Sequence, residues 1–278
     1  MNLTSPTQVK AWCIENEFHP NKVLGQNFLI DQNALRAIVD AGLEGLGGLV
    51  VLEIGPGLGV LTEELLKRGC KVAAIEKDPV LAARLEREVK NKAEAEPWWA
   101  NLTLITADAL AVLARPSAFG LTMASFSAMV SNLPYQAGTR ILLELVQAHE
   151  IEQMTVLVQT EVAERLAAKE GSKMRGLAGV WAQLDYEVEI IRKVSASCFW
   201  PRPAIGSSVV RLRRHSRNID LSAEERRIFF NLTKQAFEHR RKQLGSIFKD
   251  LIQSTARAEE LSNEDWIYLV KGVRDANT

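Results

Sequence analysis

A hydrophobic run ends at residues 131–136 in Ser-Asn-Leu-Pro-Tyr-Gln, and four of these residues together suit an aromatic amine. The lone pair of such an amine is delocalised into its ring. Two acceptors gripping its two N–H bonds favour a more tetrahedral nitrogen with the lone pair aimed outward. The side-chain oxygen of Asn132 and the backbone carbonyl of Leu133 can be that pair. Pro134 stiffens the turn. Tyr135 offers a face for a base to stack on, worth ~1–3 kcal/mol. The chemistry is then positional: nucleophile and electrophilic carbon ~3–3.5 Å apart and in line, without an essential general base. The competing reading is a strand-terminating turn with a core tyrosine, and the upstream residues weigh against it.

Those residues are Glu53-Ile-Gly55-Pro-Gly57-Leu-Gly59, which follow an apolar run of strand length. Without Cβ atoms, such glycines let backbone N–H groups approach a ligand at a helix N-terminus. Glu76 ends the next apolar run, 21 positions after Gly55 (76 − 55). A carboxylate there can take both hydroxyls of an adenosine ribose. The dinucleotide fingerprint G-x-G-x-x-G fails, because position 60 is Val. The G-x-G-x-G found here, with an acid on the preceding strand, is the pattern of S-adenosylmethionine sites. Glu53 also suits a sulfonium better than a pyrophosphate. Asp108 can accept from an adenine exocyclic amine or cap the helix that follows, and one aspartate can do both.

These residues need strand ends and helix starts to hold them. Apolar runs at 49–54, 71–76, 101–106, 127–132 and 154–159 alternate with helical patterns, which predicts a parallel sheet covered on both faces. Residues 186–194 and 207–214 alternate in the manner of late antiparallel strands. Ser5-Pro6 opens a helix over 6–16, a second helix lies near 31–42, and Gly69 closes the one after the glycine turn. Beyond Asn218 the pattern becomes helical, with Ser222 and Glu225 in capping-box spacing. The predicted fold is α/β and Rossmann-like over 1–216, followed by a small all-α domain over 217–278.

Composition narrows the function. Thirty-four Lys and Arg balance 34 Asp and Glu, so any affinity for nucleic acid must come from local patches. One patch runs from Arg192 through Lys193, Arg202, Arg211, Arg213 and Arg214 to Arg217 with no acid between, and another is His239-Arg240-Arg241-Lys242. Either alone reads as a solvated face; together they read as an RNA-contact surface making salt-sensitive phosphate contacts. Cys13, Cys70 and Cys198 have no metal-ligand or disulfide spacing, so a reducing cytoplasm and no metal site are expected. No signal segment or membrane-length run stands out. The Trp98-Trp99 pair reads as loop packing.

In chain order, LGQNFLID (24–31), VLEIGPGLGVLT (51–62), AIEKDP, the Asp108 turn, SNLPY, QTEVAERL, CFWPRP with SSVVRLR, and QAFEHRRKQL (235–244) resemble one family. It is that of the ribosomal RNA adenine N6,N6-dimethyltransferases. The NLPY form and the RRK segment resemble the small-subunit (KsgA) branch rather than the large-subunit resistance enzymes, where NIPY is usual.

The resemblance implies a class I S-adenosylmethionine-dependent methyltransferase domain. Its usual activity dimethylates two adjacent adenines in a hairpin loop near the 3′ end of small-subunit rRNA. Implied partners are that RNA and the immature small ribosomal subunit, with the protein a monomer. The implied donor site takes in Asn27, Leu29, Gly55, Glu76, Asp108 and Asn132, beside Glu53, Gly57 and Gly59. The acceptor site is Asn132, Leu133, Pro134 and Tyr135. Phe199 is either a second aromatic against the target base or a core residue. RNA contacts fall to Arg202, Arg211, Arg213, Arg214, Arg240, Arg241 and Lys242. The chain departs from the family pattern at Gln136 (usually Asn), Thr160 (Lys), Ala204 (Lys), Gly206 (Asp) and the SKMRGLAG stretch containing Arg175. These departures are expected on RNA-facing or target-pocket surfaces. They keep a second reading open, a weakly catalytic or non-catalytic ribosome assembly factor. A small-molecule methyltransferase would leave the basic clusters and helical tail unexplained.

Overall fold

Nine strands form among the described residues: β1 (Phe28–Leu29), β2 (Val50–Ile54), β3 (Lys71–Glu76), β4 (Leu102–Thr106), β5 (Ala128–Asn132), β6 (Gln153–Gln159), β7 (Tyr186–Val194), β8 (Phe199–Trp200) and β9 (Ser207–Arg214). The computed structural model describes residues 1–21, 24–216, 219, 221–249, 252 and 254–276, without the side chains of 274–276. Arg217 and the predicted domain boundary at 216/217 thus fall at or beyond the edge of the described residues.

Seven strands make one sheet in the order β4-β3-β2-β5-β6-β9-β7. The pairs β4–β3, β3–β2, β2–β5 and β5–β6 are parallel, and β9 runs antiparallel to β6, with Val156 opposite Val210. Central strands β2, β5 and β6 are buried along almost their whole length, because helices cover both faces. Edge strand β7 instead alternates buried and exposed positions in its first half. From β2 the chain order proceeds outward to β3 and β4; from β5 it proceeds the other way to β6. The order therefore reverses between β2 and β5, and a ligand crevice opens at the carboxyl ends of strands at such a point.

Helices between the strands start where their sequences dictate. Asp31 caps Gln32–Leu43 by accepting from the Ala34 N–H at 2.7 Å. Asp78, ahead of Pro79, caps Pro79–Lys92. The helix Val60–Lys67 ends at Arg68, with Gly69 one position beyond at φ +82°. Its closing bonds, Cys70 N to Leu65 O and Gly69 N to Leu66 O, form a Schellman motif.

Contacts divide the chain into two units: residues 1–163 with 189–213, and residues 164–188 with 214–278. In the second, Leu177–Asp185, Ala223–Glu238 and Asn263–Ala276 are the main helices. Ser222 and Glu225 form the expected capping box. Within this unit Arg226 grips Asp185 through two bonds of 2.8 Å, and Trp181 donates to Thr233 Oγ1 at 2.9 Å. Residues 164–188, including SKMRGLAG, thus join the C-terminal helices. Arg175 in that stretch is 1 % exposed, bonded to Ala168 O, Gln183 Oε1 and Asn263 Oδ1. It is an internal brace and not the surface residue that the sequence suggested. Among the described residues, no helix is long and apolar enough to cross a membrane.

Candidate active site

At the β2/β5 reversal, a cavity of about 390 Å³ opens among Gly25, Asn27, Leu29, Glu53, Gly55, Gly57, Glu76, Asp108 and Asn132 through Tyr135. That volume lies in the usual range for a small-molecule site.

Two strand ends supply its acids. Glu53, next to last in β2, is 1 % exposed and accepts from the Thr62 hydroxyl at 2.7 Å. Burial, then the charge of Glu76, push its carboxyl up to about 8, while the Thr62 bond pulls it down. Glu76 ends β3 at 6 % exposure. Its Oε2 accepts from the Gly57 N–H at 3.0 Å and its Oε1 from the Asp78 N–H at 2.8 Å. Burial raises this carboxyl too, against those backbone bonds. Each carboxylate oxygen has more than one lone pair, so acceptor capacity remains for ribose hydroxyls.

The glycine turn runs between them. Gly55, Gly57 and Gly59 all adopt positive φ. A Cβ on Gly59 would stand 2.6 Å from Leu85 Cδ2 as well as carrying φ +85°. Here the turn cannot take a side chain without strain at positive φ and a displaced Leu85 side chain.

Asp108 does two jobs. Its Oδ1 caps Ala109–Ala114 by accepting from Leu110 N at 2.9 Å, and its Oδ2 meets Lys77 Nζ at 2.7 Å. The Lys77 bond, foremost, holds this carboxyl below its ordinary value.

Asn132 ends β5. Its Nδ2 donates to the carbonyl of Asn27 at 3.2 Å, which leaves Oδ1 as the amide's acceptor. Asn27 in turn donates to Gly25 O at 3.1 Å. Gly25, at φ +68°, brings this loop against the acceptor turn, and a Cβ there would lie 3.0 Å from Tyr135 N. Leu133 is 2 % exposed, lines the cavity, and donates its N–H to Leu157 O at 3.2 Å. Tyr135 Oη and Ser207 Oγ are 2.6 Å apart.

Phe199 is 2 % exposed, belongs to the core cluster with Leu29, and meets the Tyr135 ring edge-on at 6.5 Å. It stands opposite Leu29 in the short β1–β8 pair and outside the residues lining the cavity. That pair, Thr62, Lys77 and Ser207 are the parts of the site that local sequence pattern does not reveal. Thr62 bears on Glu53 from nine positions on, across the glycine turn, and Ser207 on Tyr135 across 72 positions, neither of which leaves a periodic signal.

Two departures turn out to be neighbours. Thr160 N donates to Gly206 O at 3.1 Å, and a Cβ on Gly206 would stand 3.8 Å from Thr160 Oγ1. The two positions therefore meet at one backbone hydrogen bond. Gln136 is exposed at the cavity's edge.

The basic residues differ in what holds them. Arg211 is bonded to Glu44 and Glu189, and Arg213 donates to Gln153 Oε1 at 3.0 Å. Arg202 and Arg214 are exposed. Arg240 donates to Lys173 O and lies 3.5 Å from Glu259, whereas Arg241 and Lys242 are exposed. Residues 240–242 lie in the turn after Ala223–Glu238. Trp99 is 1 % exposed and stacks on Trp98.

Comparison with known proteins is consistent along the chain. The family model for ribosomal RNA adenine dimethylase matches residues 17–269. The ribosomal RNA small subunit methyltransferase A of Mycobacterium bovis is 36% identical over 98% of this chain and 88% of its own length. The protein of the same name from Clostridium botulinum is 39% identical over 84% of this chain and 82% of its own. Among solved structures, a dimethyladenosine transferase from Plasmodium falciparum superposes with TM-score 0.71 at 22% identity, covering 89% of this chain and 97% of that one. The 23S rRNA methyltransferase ErmE gives 0.62 at 23%, covering 89% and 100%.

Proposed function

Since the chain belongs to the ribosomal RNA adenine dimethylase family, we propose that its targets are two adjacent adenines in the 3′-terminal hairpin loop of small-subunit rRNA, on the immature small subunit. The reaction class is dimethylation of adenine N6 in ribosomal RNA, and the methyl donor is S-adenosylmethionine. The protein acts as a monomer in the cytoplasm.

In the proposed arrangement the donor lies in the cavity between β2 and β5. Glu76 takes the ribose hydroxyls and Asp108 the adenine amine. Gly55, Gly57 and Gly59 keep the backbone close, and the Asn27–Leu29 segment closes one side. The cavity suits the group on chemical grounds: two buried carboxyl groups face it with no basic partner among the described residues, an arrangement suited to a cationic ligand. The bound donor supplies an electrophilic methyl carbon. The chain's own residues orient the amine. Asn132 Oδ1 and the Leu133 carbonyl accept its two N–H bonds, and Tyr135 stacks on the base. The observation that carries this reading is the Asn132 amide, locked by the Asn27 carbonyl with its oxygen left to accept.

RNA contact falls to Arg202, Arg213, Arg214, Arg241 and Lys242, with Arg211 and Arg240 in supporting, internally bonded positions. The deciding experiment incubates the protein with labelled S-adenosylmethionine and under-methylated small subunits, then digests the RNA to nucleosides. N6,N6-dimethyladenosine at the two adjacent positions is expected. RNA binding without that product would instead identify an assembly factor.

A further inference from the structure

The donor cavity has an unbalanced charge. The described residues lining it carry three carboxylates, Glu53, Glu76 and Asp108, and one cation, Lys77. Lys77 lies 2.7 Å from Asp108 and balances that acid. Glu76 has two backbone N–H donors. Glu53, the most buried of the three, has Thr62 as its donor, at 2.7 Å from the hydroxyl.

Among the described residues, the elements packed around β2 offer Glu53 no counter-charge. Beside it, β3 contributes Glu76 at the same end and Lys71 at the opposite, exposed end; β5 carries no titratable group. In the helix Val60–Lys67, Glu63 pairs with Lys67 and Glu64 with Arg68. On Gln32–Leu43, Arg36 is exposed and Asp40 pairs with Arg68. A lone carboxylate in so buried a position is costly, and such a group takes up a proton instead.

We infer that Glu53 is a proton-linked recognition residue: neutral in the ligand-free cavity, it ionises when a cationic group of S-adenosylmethionine comes to lie against it. The inference rests on the donor placement proposed above. The step is a simple ionisation, in which the carboxylic acid gives its proton to solvent and the ligand's own charge is unchanged. It gives donor binding a pH dependence. Below the free carboxyl's value of about 8, affinity climbs with pH by up to about tenfold per unit, then levels off. The cation can be the ligand's sulfonium or its ammonium.

The test is calorimetric titration of the full chain at pH 7 in two buffers of different ionisation enthalpy. The ligands are S-adenosylmethionine, S-adenosylhomocysteine and methylthioadenosine. S-adenosylmethionine should release about one proton, and methylthioadenosine, which has neither cation, none. Release with S-adenosylhomocysteine assigns the ammonium as partner; no release assigns the sulfonium. Glu53→Gln keeps an acceptor for Thr62, and should abolish the proton release and weaken S-adenosylmethionine about tenfold or more. Its affinity for methylthioadenosine should stay within about twofold. Equal loss for both ligands, or buffer-independent enthalpy for wild type with S-adenosylmethionine, overturns the inference. Glu76→Ala separates the two levels. Unchanged S-adenosylmethionine affinity there means the donor lies elsewhere and the placement itself fails. Weakened affinity without wild-type proton release rejects the role of Glu53 alone.

Discussion

At Asn132 a single amide is divided between two jobs, its nitrogen holding the Asn27 carbonyl and its oxygen presented as an acceptor. Asn132→Ala removes both, so methyl transfer should fall by on the order of a hundredfold or more. Donor affinity, measured by calorimetry, should stay within about threefold, because the carboxylates and the glycine turn remain. Ser207 plays a quieter part. Fully buried at the start of β9, it holds the Tyr135 hydroxyl at 2.6 Å and so fixes the ring proposed to stack on the base. Ser207→Ala should lower kcat/KM for RNA about tenfold, the value of one hydrogen bond of ~1–1.5 kcal/mol, with donor affinity intact and recovery in Ser207→Thr. Glu53 also makes folding depend on pH. Its carboxyl is raised from the ordinary value of 4.5 to about 8, so the native state holds a proton that the unfolded chain has lost. Ligand-free stability contributed by this group is full below about 4.5 and falls as pH rises toward 8. Glu53→Gln should remove that decline, leaving the variant a few kcal/mol more stable than wild type at pH 8 in urea unfolding without donor.

Between β2 and the helix Val60–Lys67 the chain turns on three positive-φ glycines, and the third is the most constrained. Gly59→Ala must accept φ +85° and move Leu85, a combination expected to cost ~2–4 kcal/mol in denaturant unfolding and to weaken the donor by pulling the turn off its path. This turn was legible in sequence because each glycine has a local reason to be there. The same holds for Asp108, which caps the helix beside it, and for the continuous apolar runs of β2, β5 and β6. Elements defined by distant partners were not legible. The pair β1–β8 is two residues long and joins Phe28 to Trp200, so no periodicity announces it. Arg175 looks like a surface residue by composition; its burial depends on acceptors at Ala168, Gln183 and Asn263, the last 88 positions away. The local motifs of the site thus meet at one cavity, and the sequence leaves out the places where one segment braces another.

Over the whole molecule, formal neutrality means that RNA affinity must come from cations left uncompensated by the fold, and the structure separates these from the rest. Arg211 has two carboxylate partners, Glu44 and Glu189, at 14 % side-chain exposure. Arg241 and Lys242 are exposed. A count of basic residues gives all three equal weight, but counterion release counts only charges that reach phosphate. Replacing Arg241 and Lys242 together by alanine should flatten the slope of log affinity against log salt by about 1.4–1.8, with urea unfolding unchanged. Arg211→Ala should do the reverse. The slope should barely move, while stability falls by ~0.5–1 kcal/mol, a small loss because Glu44 and Glu189 are 63% and 60% exposed and stay hydrated without the guanidinium. If the two variants instead lost salt dependence equally, Arg211 would have to exchange its carboxylates for phosphate on binding. The basic stretch of β9 would then be an RNA-contact surface formed only in the complex.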